Sequence, residues 1–347
     1  MWTDRYNRKL IIVRSAYIEC LVLIAASLSP NVWALAGAQL LVGFVFGNTG
    51  VMLAMLADVT PSKRLGMAVG IVSAAFPIGS SVGPLLGGYV AQTFGIRPLL
   101  FGDGVASALV GLLLTVAVRE GPRHKISDAS VTTMLRQSAR DILASRLVAG
   151  IFVAYFLSVL TVFLYTQLLP IVLQRLFRGP ESALPALIGD TLAAFGVVMA
   201  VTTPLWGRLG DAIGRWRTLP IILLSMTIGV AALSFATTLT PLRMAIVGVG
   251  LVQGGVGATT IALLAYLAEP DRRASILNFS LLPSQLSWFI GPLIGGALAS
   301  ISLRIPFYLA VAVQGAALLF AISLARRARV AQPPNASIPS QPVMTKR

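Results

Sequence analysis

Three carboxylates in otherwise apolar stretches, Glu19, Asp103 and Asp190, are the side chains of this 347-residue chain whose type and setting could do chemistry. An acid that gains and loses a proton in an apolar environment can couple proton movement to another event. Glu19 lies in the middle of its apolar run, where an ionisable group is costly and functional by default; the competing role is a structural or interfacial pair. Asp103 and Asp190 lie one to two turns from the ends of theirs, where a cap or vestibule role fits better. Bond-making chemistry has little support, and no enzyme, metal or cofactor is expected. The sole histidine, His124, stands in a polar stretch, and no Gly-x-x-x-x-Gly-Lys-Ser/Thr loop is present to cradle phosphates. The sole cysteine, Cys20, excludes an intramolecular disulfide. Nothing resembles a selectivity-filter loop or a ring of charges, so an ion channel is disfavoured too.

The elements that would position these residues follow from composition. Hydrophobic residues make up 56% of the chain and charged residues 11%, against about 25% charged in soluble domains, so this is an all-α polytopic membrane protein. At about 20 apolar residues per span, candidates fall near 10–29, 32–57, 66–92, 98–118, 147–174, 184–206, 218–237, 241–266, 275–300 and 304–324. Twenty-two of the 27 basic residues then fall on one side of the membrane and five on the other (Arg97, Arg175, Arg178, Arg243 and Arg304). The positive-inside rule makes the first side cytoplasmic, with both termini inside. The same loading accounts for the net charge of +15 without nucleic acid. Residues 119–146 are the one long polar interruption. Ser130 to Ser145 reads either as an amphipathic surface helix with Met134, Leu135, Ile142 and Leu143 apolar, or as a solvated linker. The expected domains are an N-terminal bundle over 1–118, a linker over 119–146, a C-terminal bundle over 147–325 and a disordered tail over 326–347.

Glycines supply the most specific spacing. Gly70, Gly79, Gly83-Pro84, Gly87 and Gly88 lie in one span, and Gly79, Gly83 and Gly87 fall on one helical face. Such a face lets a neighbouring helix approach backbone to backbone, and Pro84 kinks the helix within it. Gly83→Leu is therefore expected to block packing. The spacing resembles, at every position, the antiporter motif of the major facilitator superfamily. An internal repeat agrees. Asp4 matches Asp211 and Gly43, Gly47 and Gly50 match Gly250, Gly254 and Gly257 at an offset of 207; Gly83-Pro84-Leu-Leu-Gly87-Gly88 matches Gly291-Pro292-Leu-Ile-Gly295-Gly296 at 208. An even number of spans between blocks makes the repeats parallel, as in the halves of that family's transporters. Two spans precede the Gly207 block and none precedes Trp2. The chain thus resembles a twelve-span carrier, ten of whose helices are present, lacking about 60 residues by the length of 147–206. A start codon placed too far downstream is favoured over a truncated gene.

The resemblance implies functional residues. The family's loop motif, Gly-x-Leu-x-Asp-Arg-x-Gly-Arg-Arg/Lys, latches the two halves on the cytoplasmic side. Asp4, Arg5 and Arg8 with Asp58 would form one latch, and Asp211, Gly214 and Arg215 a weaker second, with Asn7, Ala212 and Trp216 departing from the pattern. Gln39 stands where the family carries an arginine tied to proton coupling, which weighs against antiport. Glu19 and Asp103 are the candidate proton sites. The helices expected to line the midplane cavity offer Gln39, Asn48, Tyr155, Phe163, Tyr165, Gln167 and Gln253, an uncharged set suited to an apolar or weakly polar substrate. The expected function is proton-coupled efflux of small apolar or amphipathic compounds by a monomer in a bacterial cytoplasmic membrane. The alternatives are a carrier for sugars or other metabolites, and a non-transporting fragment.

Overall fold

The computed structural model describes residues 8–41, 62–118, 131–269 and 279–331, with isolated positions at 52, 55, 56, 60, 272, 276 and 277. Among the described residues twelve α-helices follow in order: α1 Arg8–Leu28, α2 Val32–Leu41, α3 Ser62–Phe94, α4 Ile96–Ala117, α5 Val131–Ala144, α6 Arg146–Tyr165, α7 Leu169–Leu176, α8 Leu184–Ile213, α9 Arg215–Phe235, α10 Leu239–Leu267, α11 Leu282–Ala299 and α12 Ile305–Ala331. No strand occurs among the described residues. Among the described residues seven segments are each long and apolar enough to cross a bilayer: α1, α4, α6 with α7, α8, α9, α10 and α12. The 33-residue α3 coincides with the expected span 66–92, and α11 with most of 275–300. Large apolar side chains point outward along these helices, among them Leu109, Leu113 and Val116 on α4 and Leu319 on α12. Water would penalise that surface and lipid does not.

The described residues group into two compact units, one of Met1–Gln137, Pro170–Val201 and Thr237–Gly250, the other of Ser138–Leu169, Thr202–Ala236 and Leu251–Arg347.

In the first unit α1 packs on α4. Gly104 lets α4 close on Ile24 and the Cys20 carbonyl, and Gly111 admits Tyr17 and Ala16. The Arg97 guanidinium donates to the Ser29 carbonyl at 3.2 Å. A second seam joins α3 to α8. A Cβ on Gly88 would lie 2.6 Å from the Pro185 carbonyl oxygen and 3.0 Å from the Gly189 Cα, and one on Gly189 would strike the Pro84 carbonyl. Higher up, Gly196 meets the Ser81 hydroxyl and the Ser80 carbonyl, which Pro84 has no N–H to serve. The approach along Ser81, Pro84 and Gly88 is thus the glycine-mediated contact lipid favours. It is not made by the face expected from spacing. Among the described residues nothing lies within 4 Å of a Cβ on Gly79 or Gly83, and Gly87 meets only Leu99, so the collision expected of Gly83→Leu is absent. The seam is rotated by about one residue around the helix, because the close partner is the glycine pair Gly88 and Gly189.

In the second unit α6 is central. Ser287 of α11 donates to the Phe156 carbonyl at 3.0 Å, while Gly291 and Gly295 admit Phe163 and the Leu164 carbonyl. On α12, Gly150 of α6 is covered by Leu324, and Ser158 donates to Gln314 Oε1 at 3.2 Å. Ser234 of α9 donates to the Phe307 carbonyl of α12 at 3.1 Å. Gln314 is completely buried and its Nε2 has no hydrogen-bond partner. A buried pair of this kind is asymmetric: removing one partner strands the other, whereas an apolar isostere removes the debt. Ser158→Ala should therefore lower stability in detergent by about 1 kcal/mol, whereas Ser158→Ala combined with Gln314→Leu, which removes both partners, should match or exceed the wild-type melting temperature. Equal losses in both variants would contradict this.

Candidate functional site

Uncharged polar groups from three helices of the second unit come together at one place. Tyr155 lies nine residues into α6, about 14 Å along at 1.5 Å per residue, near half of the ~30 Å hydrocarbon thickness. It is 9% exposed, and its hydroxyl faces Ser284 of α11. On α10 the same hydroxyl lies 3.7 Å from where a Cβ on Gly257 would sit, so the missing side chain makes its room. One turn back on that face of α10 is Gln253, half-buried, whose Oε1 has no hydrogen-bond partner. A phenol, an aliphatic hydroxyl and an amide with an acceptor to spare can bind and orient a ligand. They contain no nucleophile–base pair, and among the described residues no cluster of acids, histidine and cysteine could hold a metal ion.

The other expected cavity residues are distributed differently. Phe163 is packed against Gly291. Tyr165 is buried and stacks on Phe307, with ring centres 5.7 Å apart, so it stands as a packing residue of the unit. Gln167 is exposed in the short 3-10 turn between α6 and α7. Gln39 is on α2 but its side chain is outside the described residues, as is all of Asn48. Ser284 was not singled out in the sequence; nothing marks it there beyond a hydroxyl near the start of an apolar helix.

Asp211, Gly214 and Arg215 meet at one turn. Gly214 alone joins α8 to α9 at φ +91°, a conformation side chains other than glycine's resist. That turn brings Arg215 back over the last turn of α8, where it donates to Asp211 at 3.1 Å and to the Ala262 carbonyl of α10 at 3.2 Å. Nearby Trp206 donates to the Leu251 carbonyl at 2.6 Å with its ring over Gly255. The ion pair is half exposed and worth little alone; its geometry serves to fix the turn. Gly95, at φ +90°, makes the same single-residue turn between α3 and α4 and was not singled out in the sequence. Asp4, Arg5 and Asp58 lie outside the described residues, and Arg8 opens α1 with its side chain outside them. Of the antiporter motif, Gly70 through Gly88 all lie on α3.

Glu19 of α1 and Asp103 of α4 are exposed at the edge of the seam that Cys20 and Gly104 close, near enough to feel each other's charge. Asp190 is followed on α8 by the buried Thr191, whose hydroxyl accepts from Arg243 Nε at 2.9 Å, a contact between α8 and α10 in the first unit not anticipated from sequence.

Long apolar helices with uncharged polar groups set between them are the build of a multi-pass membrane transporter for small molecules. The Major Facilitator Superfamily model matches residues 1–184 and 151–345, and the chain belongs to that family. It is 26% identical over 298 residues to the multi-drug resistance efflux pump PmrA homolog of Lactococcus lactis subsp. lactis, covering 85% of this chain and 72% of that protein. It is 27% identical over 316 residues to the multidrug resistance protein MdtG of Dickeya zeae, covering 89% and 76%. In fold it is similar to a bacterial homolog of the human lysosomal transporter Spinster in an inward-facing, unoccupied conformation, with TM-score 0.72 at 18% identity over 94% of this chain and 84% of the other.

Proposed function

We propose that this chain exports small apolar or amphipathic compounds in exchange for protons, by rocking of an N-terminal bundle (1–118) against a C-terminal one (147–325). The observation that carries the reading is the uncharged patch of Tyr155, Gln253 and Ser284, which can hydrogen-bond a weakly polar ligand without demanding a formal charge on it. The names of the relatives, both multidrug resistance proteins, point to the same substrate class. The basic residues favour a cytoplasmic position for both termini and the linker, and a bacterial cytoplasmic membrane suits such a carrier. Asp211, Gly214 and Arg215 serve as the cytoplasmic latch of the second half, with Asp4, Arg5, Arg8 and Asp58 as its counterpart. Glu19 with Asp103 is the proton site, two carboxylates on apolar helices near enough to feel each other's charge.

The test is accumulation of ethidium and other lipophilic dyes in cells expressing the chain. Lowered accumulation is expected, restored by a protonophore. Unchanged dye levels with gradient-dependent uptake of a sugar would favour the metabolite carrier. Within the site, Tyr155→Phe should raise the half-saturating dye concentration severalfold by losing one hydrogen bond of about 1 kcal/mol, with the protein's melting temperature nearly unchanged. Unaltered dye kinetics would remove Tyr155 from the binding surface.

A further inference from the structure

The last turn of α5 presents a surface that transport does not use. It ends at Ala144, and Ser145 caps α6, its hydroxyl accepting from Val148 N–H. Since α6 begins a membrane-crossing segment at Arg146, the end of α5 lies where hydrocarbon gives way to headgroups. There Leu143 is 71% exposed. Arg140, three residues back on the same helical face, is exposed, and so is Arg146 just beyond the cap. The acid of this turn is turned away from that face. Asp141 has a side chain only 17% exposed and pairs at 3.8 Å with Arg272, which also holds Glu269 at 3.6 Å. With its carboxylate engaged there, the exposed side of the turn is cationic around a single leucine.

We propose that this turn binds an anionic phospholipid: Arg140 and Arg146 take the phosphate and headgroup oxygens, and Leu143 inserts beside the glycerol and the first acyl carbons. Guanidinium groups suit phosphate because their planar fork donates two parallel hydrogen bonds. An apolar side chain set between cations at the interface adds burial to the charge attraction. The Asp141–Arg272 pair ties the turn to the segment after α10 and keeps the carboxylate from the two arginines.

The experiment uses the full chain in nanodiscs of phosphatidylcholine with phosphatidylglycerol, the lipids retained on release being counted by native mass spectrometry. Wild type should retain phosphatidylglycerol preferentially, and Arg140→Gln with Arg146→Gln should cut that preference roughly tenfold. Arg140→Lys with Arg146→Lys should keep part of it. A nitroxide at Leu143→Cys, in a Cys20→Ser background, should be reached by oxygen more than by a water-soluble nickel chelate. Unchanged phosphatidylglycerol retention in the Gln variant, or an aqueous environment at position 143, would overturn the proposal.

Discussion

Gly88→Leu is expected to leave almost no folded transporter, while Gly83→Leu, in the same glycine run, is expected to fold normally. The difference lies in what each new side chain meets. At Gly88 the first added carbon would lie 2.6 Å from the Pro185 carbonyl oxygen and 3.0 Å from the Gly189 Cα. Both are backbone atoms, which cannot swing aside as a side chain can, so α3 and α8 must separate. Overpacking commonly costs about 1–3 kcal/mol, and a collision of two backbones belongs at or beyond the upper end. Separation would also lose the neighbouring contacts of Gly189 with Pro84 and of Gly196 with Ser80 and Ser81. Gly83 is exposed with nothing within 4 Å of its Cβ position among the described residues, so a leucine there meets no backbone of α8. Size-exclusion profiles and melting temperatures of detergent-extracted protein decide it. A normal Gly88→Leu, or a Gly83→Leu as damaged as Gly88→Leu, would contradict the seam. Transport by the Gly83 variant then shows whether that glycine acts in the cycle apart from packing.

The second large effect is at Glu19. If Glu19 and Asp103 form the proton site, Glu19→Gln abolishes transport driven by a pH gradient while exchange of labelled for unlabelled substrate continues. Glutamine keeps the size and hydrogen-bonding capacity of the side chain and removes only the exchangeable proton. Counterflow needs the alternating motion but no net proton movement, so its survival separates lost coupling from lost folding. Asp103→Asn should act in the same direction more weakly, since that residue is nearer the end of its helix. Full gradient-driven transport in Glu19→Gln would remove the residue from the mechanism and leave a structural role beside the Cys20–Gly104 seam.

Much of this architecture is legible in the sequence because lipid imposes simple rules. Apolar length marks the helices, and charge-poor composition excludes a soluble domain. The Gly207 to Arg215 motif locates the turn that Gly214 makes with a positive φ. Spacing does not reveal which face of a glycine-rich helix is used. Gly83 and Gly291 occupy equivalent places in the repeat, yet Gly291 is tight against Phe163 while Gly83 is open. Gly295 is likewise tighter than Gly87, but at Gly88 and Gly296 the relation reverses, with Gly88 tight and nothing within 4 Å of Gly296 among the described residues. Identical motifs thus pack through different faces, because the partner helix decides which glycine is needed. Contacts between distant segments are hidden for the same reason. Nothing local ties Tyr155 to Ser284, Arg243 to Thr191 or Asp141 to Arg272. Tyr165 shows the opposite error: an aromatic in a cavity helix invites a binding role, but its ring is spent on Phe307.

The central claim, exchange of substrate for protons, is tested most directly in proteoliposomes of the full chain holding a pH-sensitive dye under an imposed pH gradient. Addition of a lipophilic drug that wild-type cells exclude should produce proton movement that depends on the drug, saturates with its concentration and is absent in Glu19→Gln. Drug movement across the same membrane with no accompanying proton flux would contradict antiport and leave an uncoupled carrier.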